Sequence, residues 1–418
     1  MFHCGNSASI RRVTATVTSN LQTIPKTGPS DWSPAGSCCG EEQAHAPART
    51  GSLAASGIAP LRVSVIVAVY NRVPELQKCL EALHNALETG ELIVVDDHSA
   101  ENVRDVVERY NARYLRLSRR TGPAAARNFG ATRATGNILM FVDADVVVHP
   151  NALSIVSQEF ENSPELTALF GSYDDDPPCA DFCSLFKNLL HHHVHQVSNP
   201  DAGTFWTGCG AIRKQAFEVA GGFDAVRYPA ASIEDIELGS RLTQQRQKIR
   251  LIKQLQVKHL KKWTFGSMIR TDIFHRAIPW TQLILRTRSI PGDLNLTSTA
   301  RVSSLLVAAA SLLAIGMVAG FTRYSGWFPR ILASGFVLST ATLLHLNRGL
   351  YRFFWRKRGT EFAIQAVLAH WMYLFYSGSV FTLCCVADVL QAPLRSSTTD
   401  SVLEHLHRNS DGSNSSGD

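Results

Sequence analysis

Two acidic clusters, Asp96-Asp97 and Asp143-Ala144-Asp145, each close an uninterrupted apolar run. Residues two apart on extended backbone point to the same side, so Asp143 and Asp145 can present both carboxylates to one ligand. Hard oxygen donors in that arrangement suit Mg²⁺ or Mn²⁺. Such an ion would clamp a diphosphate and neutralise the charge that grows on it as it leaves. One acidic pair at a strand end is commonly a solvated turn or a helix cap. Two pairs at the ends of neighbouring strands imply a site, because open α/β sheets bind ligands beyond the carboxyl ends of their strands.

The runs that carry these acids read as alternating strands and helices. Val63, Val65, Val67 and Val69 alternate with Ser64, Ile66, Ala68 and Tyr70, as in a strand buried on both faces. Pro74 suits a first helical turn, and Leu76, Leu80, Leu83 and Leu87 follow at helical spacing before Gly90. Leu92–Val95 is a second strand, a helix is expected from about Pro123 to Ala134, and Ile138–Val142 is a third strand. Strand, helix and strand in this order predict a doubly wound α/β domain.

Five motifs in order then carry a resemblance. Val63-Ser-Val-Ile-Val-Ala-Val-Tyr-Asn71, Ile93-Val-Val-Asp-Asp-His-Ser99, Gly122-Pro-Ala-Ala-Ala-Arg-Asn-Phe-Gly130, Phe141-Val-Asp-Ala-Asp145 and Gly221-Gly-Phe-Asp224 with Glu234-Asp235 are together similar to family-2 glycosyltransferases of the GT-A fold, a Rossmann-like nucleotide-diphospho-sugar transferase domain. The resemblance covers about residues 61–262. It implies that Tyr70, Asn71 and Asp97, with Asp96 beside it, hold the nucleotide base and ribose, and that Arg127 and Asn128 lie beside the nucleotide. It implies that Asp143 and Asp145 bind the metal and diphosphate. It also implies that Asp235, with Glu234 beside it, is the general base on an acceptor-side helix. Without the resemblance, Glu234-Asp235 reads as an acidic pair favoured by a helix N-terminus; the two readings are compatible. His259 follows the alternating stretch Ile249–Val257. In some GT-A enzymes a histidine here completes the metal site; a satisfied structural histidine is the other reading.

Processive members of the family carry Gln-x-x-Arg-Trp after this region, where this chain has His259-Leu-Lys-Lys-Trp263. That departure points to transfer of a single sugar. The resemblance thus implies an inverting, metal-dependent hexosyltransferase-type enzyme acting on a nucleotide diphosphate-sugar, UDP-linked by preference, with a lipid or glycan acceptor at a membrane. A nucleotidyltransferase and an inactive, glycosyltransferase-like membrane scaffold are the alternatives. The intact Asp143, Asp145 and Asp235 speak against the scaffold.

The membrane enters through the second half of the chain. Val302–Phe321 has no charged residue and is long enough to span a bilayer. Trp327–Leu346, interrupted by Arg330 and His345, and Ala366–Val386, with His370 inside it, are two further candidate spans. Arg348, Arg352, Arg356, Lys357 and Arg358 lie between them. By the positive-inside rule that loop is cytoplasmic, so three spans place the α/β domain in the cytoplasm of a multi-pass protein of the inner or plasma membrane. Residues 263–300 read as an interfacial or ordinary amphipathic segment, 301–390 as the membrane region, and 1–60 and 391–418 as a disordered leader and tail.

Composition agrees. Apolar residues make up 45% of the 418 and charged residues 18%, a balance that leans toward a membrane protein. A net charge of +6 is too small at this length to argue nucleic-acid binding. Nine scattered cysteines form no disulfide framework, and no apolar stretch follows the first basic residues, so no signal peptide is expected. The His191-His192-His193 and His195 cluster near Cys179 and Cys183 matches no standard zinc spacing. Asp174-Asp175-Asp176 before Pro177-Pro178 reads as a loop and as a mobile cover near the acceptor.

Overall fold

The computed structural model describes residues 61–87, 90–290, 292, 294–321 and 327–411, with side chains described except at 320–321 and 391–411. The expected leader, 1–60, and the last seven residues of the expected tail lie outside them.

The run from Val63 is a strand, β1 (Val63–Val69), and both its faces are buried. Val63, Val65, Val67 and Val69 join one core and Ile66 the other, which is why the sequence there is apolar throughout rather than alternating. Helix α1 (Val73–Ala86) has Pro74 in its first turn and covers the first core with Leu76, Cys79, Leu80 and Leu83. Leu87 is its C-terminal cap and, as expected, still packs against the same core. Strand β2 (Glu91–Asp96), helix α2 (Arg104–Glu108) and strand β3 (Arg113–Arg116) follow, then helix α3 (Pro123–Arg133), which covers the second core through Ala124, Ala126 and Ala131. Strand β4 (Ile138–Asp143) completes the parallel centre.

Beyond it the sheet is mixed. Strands β5 (Val146–Val148), β6 (Leu166–Tyr173), β7 (Cys209–Arg213) and β8 (Lys248–His259) give eight strands in the order β3-β2-β1-β4-β7-β6-β8-β5. β7 is antiparallel to both β4 and β6, and β5 is antiparallel to β8. The fold class is as expected, a Rossmann-like GT-A domain followed by long apolar helices. The doubly wound pattern holds only for the first half. Helices α4 (Ala152–Asn162), α5 (Phe182–Val197), α6 (Lys214–Val219) and α7 (Glu234–Gln244) flank the second half.

Close packing of β6 on β8 makes one glycine indispensable. A Cβ on Gly171 would lie 2.0 Å from the Leu255 carbonyl oxygen, at an irregularity in the β6–β8 register. Neither backbone can yield, so Gly171→Ala should lower stability by about 1–3 kcal/mol, the usual range for overpacking. A fall in the thermal midpoint of the detergent-purified chain checks this.

After β8 the chain is helical: α8 (Phe265–Arg270), a π-helical turn (Thr271–Ala277) and α9 (Ile278–Thr287). This segment packs against the domain through Leu283, which contacts Tyr228 and Ile233. Helices α10 (Ser298–Phe321), α11 (Trp327–Leu346) and α12 (Arg348–Asp411, broken at Gly359) follow. The backbone of α12 continues through 391–411, the first part of the expected tail. Three helical stretches, Ser298–Ala319, Trp327–Leu346 and Arg348–Leu390, are long and apolar enough to cross a membrane. Their large apolar side chains point outward, Leu305, Leu312 and Leu338 among them at about 70% exposure. So wide an apolar surface calls for lipid or a partner to cover it.

The domain and these helices share a core. Phe186, Leu189 and Leu190 of α5 pack with Leu350, Phe354, Phe362 and Ala366 of α12. Lys357 pairs with Asp175, and Asp174 and Asp176 pair with Lys258 at 3.1 and 2.9 Å. The acidic run is therefore a clasp between the domain and the long apolar helices rather than a mobile cover. The histidines of α5 serve packing as well. The Nδ1 atoms of His192 and His195 meet the carbonyls of Tyr173 and Gly171 at 2.7 and 3.0 Å.

Candidate active site

Register brings the candidate residues to one edge. Val69 of β1 pairs with Asp96 of β2, and Ala68 pairs with Asp143 of β4. Three adjacent parallel strands therefore end together, and Tyr70-Asn71, Asp96-Asp97 and Asp143–Asp145 leave the sheet side by side. β5 then turns back against β8, pairing Val146 with His259, and the Leu260 amide bonds the Asp145 carbonyl at 2.8 Å. That hairpin-like closure carries His259 Nε2 to 3.8 Å from Asp145 Oδ2.

The acids at the first two strands are bound up in the protein. Asp96 is fully buried and accepts from the Ser99 amide at 2.7 Å, the Tyr114 hydroxyl at 2.7 Å and Arg116 at 3.0 Å. It holds the turn and the edge strand, and no face of it is open to a ligand. Asp97 accepts from the amides of Thr121 and Gly122 at 2.7 and 2.8 Å, fixing the loop that opens α3. Gly122 has φ +92, and a Cβ there would lie 2.1 Å from the Pro229 carbonyl oxygen, so only glycine lets the two loops meet. Asn71 is left-handed (φ 57), and its side chain accepts from the Ala100 amide at 2.9 Å. Tyr70 is 38% exposed, and the Arg120 guanidinium lies over one face of its ring, 3.8 Å from the centre. Asn128 bonds the Phe223 amide and carbonyl at 2.9 and 2.8 Å. Both ends of its amide are spent on the Gly221–Asp224 loop.

Arg127 joins the two halves of the site. Its side chain is 7% exposed; one terminal nitrogen meets Asp143 at 2.6 Å and the other meets Glu234 at 2.9 Å. Burial works against its charge, but Asp143 and Glu234 more than compensate, and its pKa is raised beyond the normal arginine range. Its Nε has no partner among the protein's atoms. Glu234 also accepts from the Ser232 amide at 2.8 Å, so both its oxygens are engaged. It positions Arg127 and the start of α7 and is unavailable as a base. Asp235 is the available carboxylate. It is half-buried and accepts from the Thr207 amide at 3.1 Å and its neighbour's amide at 2.8 Å. Burial, then the nearby Glu234, raises its pKa to about 6.

Asp145 takes a 3.0 Å ion pair from Arg72. His259 lies stacked on Tyr173, with ring centres 4.3 Å apart. Burial, reinforced by Lys261, pushes its pKa down to about 3, so the imidazole is neutral and keeps a lone pair. Asp143, Asp145 and His259 do not form a ready-made three-donor cage; no group of three or more His, Cys, Asp or Glu able to hold a metal occurs among the described residues. Asp143 turns to Arg127, while Asp145 and His259 face each other.

Arg72, Arg120, Tyr173 and Thr207 belong to this site and carry no sequence signal. Each reaches it through tertiary packing from outside the motifs.

Residues 64–220 match Glycosyl transferase family 2. The matched segment holds the first four motifs, and Gly221–Asp224 and Glu234-Asp235 lie just past its end. The chain is 34% identical over 95 residues to glycosyltransferase AglE of Haloferax volcanii, covering 21% of this chain and 31% of that one. It is 32% identical over 102 residues to a poly(ribitol-phosphate) beta-glucosyltransferase of Bacillus spizizenii, covering 22% and 16%. The chain thus spans under a third of the length of these curated relatives. Among solved structures, a mannosyltransferase from Pyrobaculum calidifontis in complex with GDP-mannose and Mn²⁺ superposes with TM-score 0.50 at 16% identity, over 87% of this chain and 94% of that one. At that identity the likeness establishes the fold.

Proposed function

We propose that this protein transfers a single sugar, with inversion, from a nucleotide diphosphate-sugar to an acceptor held at the membrane. The observation that carries this is the reach of Arg127. One guanidinium bonds Asp143 of the Asp-x-Asp motif and Glu234 at the head of α7. The bridge ties the start of α7, which carries Asp235 next to Glu234, to the acids suited to a diphosphate.

Each group has a task in single displacement. Tyr70, with Arg120 beside it, offers a stacking face for the base, and Asn71 and Asp97 shape the loops around the ribose. A hydroxyl is a weak nucleophile at neutral pH, and Asp235 removes its proton as it attacks the anomeric carbon. A pKa of about 6 keeps Asp235 ionised at neutral pH, yet basic enough to take a proton. Attack from the face opposite the diphosphate inverts the anomeric centre.

Asp145 and His259 fit a divalent ion by their chemistry: a hard carboxylate oxygen and a neutral imidazole nitrogen 3.8 Å apart. Bound there, Mg²⁺ or Mn²⁺ would supply charge neutralisation to the departing diphosphate. The bound GDP-mannose and Mn²⁺ of the Pyrobaculum mannosyltransferase support this choice. UDP-sugars and GDP-sugars are accordingly the donors to test, UDP first. His259→Ala should raise the Mn²⁺ concentration for half-maximal turnover at least about tenfold, read from a metal titration.

The clasp between Asp175 and Lys357 ties the basic segment Arg348–Arg358 to the domain, so both belong on one side of the bilayer. With the positive-inside rule that side is the cytoplasm. Replacement of Gln-x-x-Arg-Trp by His259–Trp263 favours release after one transfer.

The test is turnover of a panel of UDP- and GDP-sugars by the full chain in membranes with Mn²⁺. One donor should be consumed, and chelation should abolish both its turnover and nucleotide binding. No turnover together with no metal-dependent nucleotide binding would overturn the enzyme in favour of a scaffold.

A further inference from the structure

A cavity of about 710 Å³ runs from the candidate site to the membrane helices. The volume is in the range of sites that enclose a small molecule, about 300–1,000 Å³. At one end its wall contains His259 and Tyr173, the pair beside Asp145. At the other it contains Leu305 and Ala308 of α10 with Phe381 and Leu383 of α12. The cavity therefore leads out of the catalytic domain between two helices that are long and apolar enough to cross a bilayer. An elongated apolar chain suits that end.

The charged side chains among its described lining residues do not balance: Lys187, Arg276 and Arg301 face a single carboxylate, Asp272. Asp272 is buried and is taken up by Lys187 at 2.5 Å and by the Tyr376 hydroxyl at 2.6 Å. Arg276 follows one turn later on the same π-helical segment and also lines the cavity. Among the described residues it has no ion-pair or hydrogen-bond partner. It is close enough to act electrostatically on His259, Lys187 and Lys261. Arg301, at the head of α10, lines the same cavity; among the described residues its side chain bonds the Ser298 hydroxyl alone, at 3.5 Å. A partly enclosed guanidinium without a counter-charge is costly unless a ligand supplies one. Forked donors of this kind suit phosphate oxygens. A π-turn in an otherwise α-helical segment is a frequent mark of a functional site.

We propose that this cavity binds the acceptor: a lipid with its alkyl chain between α10 and α12 and a phosphate headgroup on Arg276 and Arg301. This rests on the sugar-transfer reading above. Because Asp235 serves a hydroxyl nucleophile, the phosphate anchors the lipid, and the reacting oxygen belongs to a hydroxyl on the group attached to that phosphate. In transfer that oxygen bonds the anomeric carbon as the bond to the nucleoside diphosphate breaks. The diphosphate leaves with the electron pair, and the hydroxyl proton passes to Asp235.

The test uses the full chain in nanodiscs of neutral lipid and a photoreactive dodecyl phosphate with a diazirine at its chain end. Labelling should fall on peptides that line the cavity from α10 and α12. Unlabelled dodecyl phosphate should compete at least tenfold better than dodecanol, and inorganic phosphate should not compete at the same concentration. Arg276→Gln, a change at a partly exposed surface, should cut labelling at least fivefold; Ala308→Trp, which fills the apolar end, should do the same. Equal competition by dodecanol, or undiminished labelling of Arg276→Gln, would overturn the anionic headgroup. Displacement by inorganic phosphate alone would overturn the lipid in favour of a phosphate-ion site. Metal-dependent nucleotide binding is measured on the same sample. Nucleotide binding without labelling overturns the lipid site alone. Labelling without nucleotide binding overturns the transfer reading, and with it the lipid's role as acceptor.

Discussion

Asp235→Asn should lower sugar transfer by about 10²–10⁴-fold, the usual contribution of a positioned base, while nucleotide binding and fold persist. Asparagine keeps an oxygen for the Thr207 amide that Asp235 now engages at 3.1 Å, but it cannot accept a proton. The pH profile separates a lost base from a disturbed site. In the wild type the base form is the ionised one, so the rate should rise with pH through about 6 and fall about tenfold per pH unit below it. In the variant that limb should be missing. Stability moves the other way. A carboxyl whose folded pKa is raised binds its proton more tightly in the folded chain. Its contribution is therefore present at low pH and is lost as pH climbs through 6. Asp235→Asn removes that loss, so its thermal midpoint at pH 8 should be no lower than that of the wild type. Glu234→Gln offers the contrast. Glu234 is buried against Arg127, and its removal should cost stability as well as rate. If Asp235→Asn keeps near-normal turnover and the acidic limb, the base lies elsewhere.

Sequence alone made the first half of the fold readable because its strands are buried on both faces. Such strands appear as uninterrupted apolar runs, and Val63–Val69 and Ile138–Asp143 could hardly be read otherwise. β6 and β7 were harder. Leu166–Tyr173 is buried at every position, yet contains Thr167, Gly171 and Ser172, and Cys209–Arg213 is short and glycine-bearing. Their pairing depends on contacts distant in sequence, which local pattern does not encode. The antiparallel turn of β7 and the mixed sheet followed from that and stayed hidden.

The candidate site divides in the same way. The acids at the strand ends were legible, since the sheet topology alone places them at one edge. What each acid does there was not. Asp96 and Asp97 look equivalent in sequence, but one is sealed under Tyr114 and Arg116 while the other holds the loop at Gly122. Glu234 and Asp235 are adjacent, yet a helix start points them to different partners, Arg127 and Thr207. The motif around Asn128 suggested a ligand contact, and the side chain instead ties down Phe223. Identity along the chain gives the chemistry available, and packing decides which group remains free to use it. The same holds for the clasp at Asp175 and Lys357, residues 182 apart in sequence by their numbering, whose charges alone suggested only a loop and a topological signal.

Arg127→Ala should be the most damaging single change to the architecture of the site. It would leave Glu234 buried without its counter-ion and Asp143 without its closest one. Breaking a buried pair from one side costs about 3–5 kcal/mol, because the surviving charge is left uncompensated. In thermal unfolding of the purified chain this corresponds to a fall on the order of 10 °C. Arg127→Lys should recover only part, since one ammonium cannot present two nitrogens in a fixed fork to two separate carboxylates. A double-mutant cycle then isolates the cause. If the penalty comes from a stranded charge, Arg127→Met with Glu234→Gln should be more stable than Arg127→Met alone, a coupling of about 1–3 kcal/mol. Additive effects would instead mean that Arg127 acts by filling space. The double variant should remain inactive even where its stability returns. In the proposed reaction the guanidinium that bonds Asp143 at 2.6 Å and Glu234 at 2.9 Å would also hold the start of α7, with Asp235, at a fixed spacing from the acids that face the diphosphate. A reaction that needs both in one geometry loses rate steeply when that spacing is left to chance.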